Sequence, residues 1–185
     1  MITDRLLEAI KTTHTFGTYR TRDGQEVDEW IDINLILMQP YYLDMASRWV
    51  ATTIMYAYEK VDAVGCPAIS AVPLTLAVAM KLSVPAFFDR GAKKTHGSQK
   101  RIEGPSVAGK NVVLIDDVVS SGYSLWQTLQ AVRKEGGTYL GAISVVDRQE
   151  LSANASAALR VNDYFYLYQL TADKKEIVMG RRTRN

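Results

Sequence analysis

Apolar residues along the chain recur in two rhythms, one helical and one of strands, and their order predicts a layered fold. Leu6, Leu7 and Ile10 fall on one side of the segment from Thr3 to Thr12, the spacing of a short helix. The next stretch reads as β structure: Phe16 to Arg20, a turn at Asp23-Gly24, then Trp30 to Leu37. From Pro40 a continuous apolar face of Tyr42, Ala46, Trp49, Val50, Thr53, Ile54 and Ala57 predicts a long helix, opened by a proline that the first turn tolerates. Its Trp and Met residues read as core. Val61 to Gly65 and Val84 to Phe88 have strand length and flank a helix from Pro73 to Leu82. Val112 to Ile115 is apolar without alternation, as in a strand buried on both faces of a parallel sheet. Leu125, Leu129 and Val132 then return to helical spacing as far as Gly136-Gly137. Tyr139 to Val146 reads as a strand, Ala153 to Leu159 as a helix and Tyr164 to Leu170 as an aromatic strand. Helices alternating with apolar strands predict an α/β fold with a doubly wound, mainly parallel sheet and right-handed crossovers.

The most informative stretch is Asn111 to Ser124, NVVLIDDVVSSGYS. A buried strand ends in Asp116-Asp117; Val118 and Val119 follow, then Ser120, Ser121, Gly122, Tyr123 and Ser124 at the start of a helix. Open α/β sheets bind ligands outside the carboxyl ends of their strands. Gly122 and the free N–H groups of the helix start suit a phosphate. The two carboxylates would repel that phosphate if they faced it. At a strand end they point to opposite sides, so one at most reaches a given spot directly. A sugar diol, or a Mg²⁺ carried in with a diphosphate, would occupy both. An acidic strand end followed by an ordinary N-capping serine gives the same spacing.

These residues resemble the phosphoribosyl-diphosphate (PRPP) motif of the type I phosphoribosyltransferases, two acids preceding a hydroxyl and glycine phosphate loop. The resemblance implies that Asp116 and Asp117 hold the ribose hydroxyls. Val118, Val119, Ser120, Ser121, Gly122, Tyr123 and Ser124 would line the PRPP site, the last five wrapping its 5′-phosphate. It also implies Mg²⁺ bound through PRPP, with Asp116 and Asp117 as the available carboxylates.

Other segments are similar to orotate phosphoribosyltransferases. Residues 1–39 resemble their N-terminal hood through Gly17, Tyr19, Gly24, Trp30 and Asp32, although Arg22, Asp23 and Val27 depart from its usual Lys, Ser and Ser. Gly65 to Ala71 stands where the family has a short phosphate loop; it keeps Pro67 and Pro73 but has Cys66 and Ala71 at usual glycine positions and Ser70 where a lysine is common. A simple strand-to-helix turn reads equally well there.

Arg90 to Gly109 is polar, aperiodic and holds four glycines, the pattern of a loop, and long loops in compact domains are often active-site lids. Arg90, Lys93, Lys94, His96, Lys100 and Arg101 face one acid, Glu103, so closure over a polyanion is favoured. Arg90, Lys94, His96, Gly97, Ile102, Glu103 and Gly104 match the orotate enzymes' lid, with Gly91 in place of its first lysine. In that family the lid reaches the partner subunit's site, which implies a homodimer. Asp147-Arg148-Gln149-Glu150 ends the next strand. By itself it reads as a salt-bridged sheet terminus; by the resemblance Arg148 meets the orotate carboxylate, a task suited to a planar guanidinium. The base site implied is Arg22, Trp30, Ser120 and Arg148, and the catalytic set Lys94, His96, Asp116 and Asp117.

Composition narrows the picture further. A chain of 185 residues, 47% hydrophobic and 23% charged, suits one globular domain with a sizeable core. A net charge of +2 does not by itself point to nucleic acid, and the arginines at 181, 182 and 184 read as a solvated end. The lone Cys66 excludes an internal disulfide and fits a reducing, cytoplasmic setting. No leader is evident, since Asp4, Arg5 and Glu8 interrupt the first residues. The longest uncharged run, Ala63 to Met80, is broken by Gly65, Pro67 and Pro73, so it is expected to stay out of a membrane. The resemblance, not the composition, implies a phosphoribosyltransferase of the orotate type, acting in pyrimidine nucleotide synthesis. The alternatives are transfer to another base, or a PRPP-binding regulatory module without efficient chemistry, which the absent lysines at Ser70 and Gly91 motivate.

Overall fold

The structure is a computed structural model that describes residues 2–20, 24, 26–91, 101–160 and 163–180. Helix α1 (Ile2–Lys11) buries Leu6 and Ile10, one turn apart, with Asp4 in its first turn and Lys11 in its last, both placed favourably for the helix dipole. Strands β1 (His14–Arg20) and β2 (Glu26–Ile31) pair antiparallel as a separate two-stranded sheet with an irregularity between Phe16 and Tyr19. The strand expected to run on to Leu37 stops at Ile31 instead. Asn34–Leu37 forms a short helix, α2, because Ile33, Ile36 and Leu37 are buried together at a spacing of three and four, which a strand cannot bring to one side.

Helix α3 (Pro40–Ala57) opens on its proline and buries Met45, Ala46, Val50, Ala51 and Ile54. Strand β3 (Ala63–Pro67) is fully buried, and α4 (Val72–Leu82) leads to β4 (Ala86–Asp89) through a left-handed Ser83. The aperiodic stretch after Arg90 holds a two-residue strand, β5 (Ile102–Glu103), antiparallel to β4. Two residues are too few to register as a period. Strand β6 (Asn111–Val119) continues through Asp116 and Asp117, so the acidic pair lies within the strand rather than at its last residues. Pairing with β7 persists to Val119, which explains the extension. Helix α5 (Tyr123–Lys134), β7 (Thr138–Asp147), α6 (Ala153–Arg160) and β8 (Asp163–Leu170) follow within a residue or two of expectation. A final strand, β9 (Ile177–Met179), was not foreseen. Arg22, Lys94, His96 and the arginines at 181, 182 and 184 lie outside the described residues.

The main sheet has the order β5-β4-β3-β6-β7-β8-β9, parallel from β4 to β8 with antiparallel edges. Successive side chains of β6 enter two different cores: Val113 and Ile115 pack with α1, α3 and α4, whereas Val112 and Leu114 pack with α5 and α6. That two-sided burial is why the run does not alternate. Each of these four residues is fully buried, a contribution of about 1.5–3 kcal/mol apiece. From β3 the chain winds outward to β4, then returns to place β6 on the opposite side of β3. The crevice beyond the carboxyl ends of β3 and β6 is therefore the switch point at which open α/β sheets bind ligands. Among the described residues no helix is long and apolar enough to cross a membrane.

Candidate functional site

A cavity of about 230 Å³ opens at that switch point. Its wall includes Asp116, Asp117, Val118, Val119, Ser120, Ser121, Gly122, Tyr123 and Ser124, together with Trp30 and Arg148. Residues chosen from three separated segments of the sequence thus meet around one space. The alternation of the strand does not separate the acids: both line the cavity, which spans the end of β6. Their environments differ. Asp117 Oδ1 accepts hydrogen bonds from the Val118 amide at 2.9 Å and the Ser70 hydroxyl at 3.1 Å, while Asp116 Oδ1 accepts from the Asp117 amide at 3.1 Å. Burial pushes the Asp117 carboxyl above the usual range, and those donors only partly offset it.

The loop after β6 is shaped by Gly122, whose φ of +71° lies in the left-handed region. A Cβ there would sit 2.7 Å from Ala155 Cβ and 2.8 Å from Leu151 Cδ2, so glycine both turns the chain and lets α6 approach. The Ser152 amide donates to Ser121 O at 2.9 Å, tying the loop to the α6 segment. Helix α5 starts directly after Gly122, and its first residues, Tyr123 and Ser124, line the cavity, a placement chemically suited to an anion.

The opposite side of the cavity is built around a buried ion network. Arg148, 4% exposed, pairs through Nη2 with Glu29 Oε1 and stands 3.3 Å from Glu150 Oε2. Glu29 Oε2 is 3.2 Å from His14 Nε2. Glu150 also accepts from the Ser120 hydroxyl at 2.9 Å and pairs with Lys174 at 2.5 Å. Although burial acts to raise it, the Lys174 hydrogen bond, the Arg148 charge and Ser120 hold the Glu150 carboxyl below its ordinary value. The two-stranded sheet is thereby fastened to the end of β7, and the phosphate-type loop is linked to Arg148 through Glu150.

A second cavity of about 200 Å³ adjoins the first through Tyr123 and Ser124. Its wall contains Asp89, which accepts two 2.7 Å bonds from Arg101, one from the Gly91 amide at 2.9 Å and one from Thr128 at 3.0 Å. Burial opposes ionisation of Asp89, but Arg101 and the Gly91 amide outweigh it and hold the carboxyl below its usual range. Arg90 lies outside the first cavity, half exposed, with Nη1 3.5 Å from Glu103 Oε1.

Several contributors were not singled out from the sequence. Ser70, noted in the sequence only as a departure from the family's lysine in a loop that reads equally as a phosphate loop or a plain turn, lines the cavity and bonds Asp117. Asn34 lines it as well. Glu29 was not singled out, and its contact with Arg148, which lies far along the chain, carries no local signal. The donor chemistry fits Mg²⁺: two carboxylates at one cavity are hard oxygen ligands of the kind that bind a phosphate-borne ion. No group of three or more His, Cys, Asp or Glu able to hold a metal occurs among the described residues.

The model of the phosphoribosyl transferase domain matches residues 34–177. The orotate phosphoribosyltransferase of Methanosphaera stadtmanae is 30% identical, over 80% of this chain and 83% of its own length. That of Caenorhabditis elegans is 35% identical over 91% of this chain and 72% of its own. The crystal structure of Mycobacterium tuberculosis orotate phosphoribosyltransferase in complex with Fe(III) dicitrate superposes with a TM-score of 0.73 at 25% identity, covering 92% of this chain and 97% of that one. Sequence and fold agree along nearly the whole length, and the chain belongs to the phosphoribosyltransferase family, with orotate phosphoribosyltransferases among its relatives.

Proposed function

We propose that the protein transfers the 5-phosphoribosyl group of PRPP to orotate, releasing diphosphate. The observation that carries this reading is the convergence of the Asp116-Asp117 pair, the Ser120 to Ser124 loop and Arg148 on one cavity at the switch point. The loop amides and the start of α5 hold the 5′-phosphate, as a helix N-terminus holds anions generally. Asp116 and Asp117 bind the ribose hydroxyls and face the positive charge that develops on the sugar as the C1–oxygen bond to diphosphate breaks and the bond from the base nitrogen forms. Catalysis is then mainly positioning and charge stabilisation. Mg²⁺ bound with PRPP supplies charge neutralisation for the leaving diphosphate, with Asp116 and Asp117 as its protein-side carboxylates.

Arg22, Trp30, Ser120 and Arg148 form the base site in this reading. Residues 90–109 act as a cationic lid in which Arg90, Lys94 and His96 meet the diphosphate, closing onto the partner subunit of a homodimer. Residues 1–39 form the hood of a single domain spanning 1–185. One observation favours a second reading, transfer to a base without a carboxylate: Arg148 is already paired with Glu29. Purified protein incubated with PRPP, Mg²⁺ and a panel of pyrimidine and purine bases decides between them by diphosphate release. Highest kcat/KM with orotate supports the first reading, preference for an uncharged base supports the second, and no release with any base refutes both.

A further inference from the structure

Arg148 stands between the cavity and two carboxylates of the protein. It contributes to the cavity wall, whereas Glu29 and Glu150, both paired with its Nη2, do not. Glu29 is fully buried and projects from β2, in the two-stranded sheet, so it meets Arg148 from outside the main sheet. The charge of Arg148 is thus compensated before any substrate arrives. A carboxylate entering from the cavity finds a guanidinium whose charge is already shared with two carboxylates and, just behind it, the negative charge of Glu29. Little solvent separates these groups, so the repulsion is weakly screened.

We propose that Glu29 is a specificity-determining residue of the base site: by holding Arg148 from behind, it weakens the site's preference for a carboxylate-bearing base over a neutral one. The inference rests on the reading that Arg148 faces the base. Loss of the Glu29 charge leaves the Arg148 charge less compensated, so a charge-assisted hydrogen bond from Arg148 to a substrate carboxylate is strengthened. Such a bond corresponds to about a tenfold or greater change in selectivity. The alternative role for Glu29, orienting Arg148 for the substrate, predicts the opposite sign.

The test compares kcat/KM for orotate and for uracil, which lacks the carboxylate, in the wild type, Glu29→Gln and Glu29→Asp at saturating PRPP and Mg²⁺. The expected result is an orotate-to-uracil ratio about tenfold or more higher in Glu29→Gln, with PRPP affinity unchanged. Glu29→Asp, whose shorter side chain draws the carboxylate back while keeping the charge, raises the ratio by a smaller factor. It also keeps the test decisive if Glu29→Gln fails to fold. In an Arg148→Ala background neither substitution should move the ratio. An unchanged or lower ratio in an active, folded Glu29 variant overturns the proposal while leaving phosphoribosyl transfer intact. A wild type that releases no diphosphate with either base overturns the assignment of this cavity to base selection as well.

Discussion

Truncating Arg148 should cost stability as well as substrate discrimination, because the arginine is the counter-ion of a carboxylate that has no contact with water. Arg148→Ala leaves Glu29 fully buried without that counter-ion, with the His14 imidazole 3.2 Å away. Removing one partner of a buried pair typically costs about 3–5 kcal/mol, since the other charge stays desolvated. For a domain of this size each kcal/mol lowers Tm by about 2–4 °C, so the expected drop is roughly 6–20 °C. Replacing both partners is different. Arg148→Met combined with Glu29→Gln leaves no stranded charge and should recover most of the loss, as exchanging a buried ion pair for packed neutral groups is often close to neutral. Denaturant and thermal unfolding followed by circular dichroism, on Arg148→Met, Glu29→Gln and their double variant alongside Arg148→Ala, measure the coupling directly. A loss in Arg148→Ala below about 1 kcal/mol, the range of exposed ion pairs, would refute the reasoning, as would a double variant no more stable than Arg148→Ala.

Asp89→Asn should destabilise the protein at neutral pH by weakening the Arg101, Gly91 and Thr128 contacts. The Asp89 carboxyl is held below its ordinary value, so its contribution is fully present above the unfolded value of about 3.9 and is lost as pH falls through the folded one. The stability gap between wild type and Asp89→Asn should therefore be constant above about pH 5 and narrow below about pH 4, as read by urea unfolding across that range; a gap that widens in acid contradicts the assignment. Gly122→Ala should lose about 1–2 kcal/mol from the left-handed backbone alone, more from displacing α6, and should weaken PRPP binding in calorimetric titration. Asp116→Asn with Asp117→Asn should abolish PRPP binding with the fold retained by circular dichroism; unchanged affinity would remove the pair from the ligand site.

Much of the scaffold was legible because its signals are local. The apolar run of Val112 to Ile115 and the proline-led amphipathic pattern from Pro40 each lie within one element, the glycines after Lys134 directly follow another, and the structure forms those elements there. Short or ambiguous pieces were not. Ile33, Ile36 and Leu37 satisfy a strand-like reading until burial shows all three on one side, and β5 and β9, of two and three residues, are held by neighbouring strands rather than by any period of their own.

The division at the site follows the same physics. A single stretch of sequence carries the Asp116-Asp117 pair and the Ser120 to Gly122 loop, since the chemistry of a phosphate loop requires its acids, hydroxyls and glycine to be near neighbours along the chain. Its linkage to Ser70, 47 residues from Asp117, depends on β3 and β6 lying side by side. The Glu29–Arg148 pair depends on docking of the β1–β2 sheet against the end of β7. Side-chain identity and spacing determined which groups are available and which segments bend around them. Which carboxylate finds which cation, and how far each is taken out of water, is decided by contacts between distant segments, whose energies arise only when the layers pack.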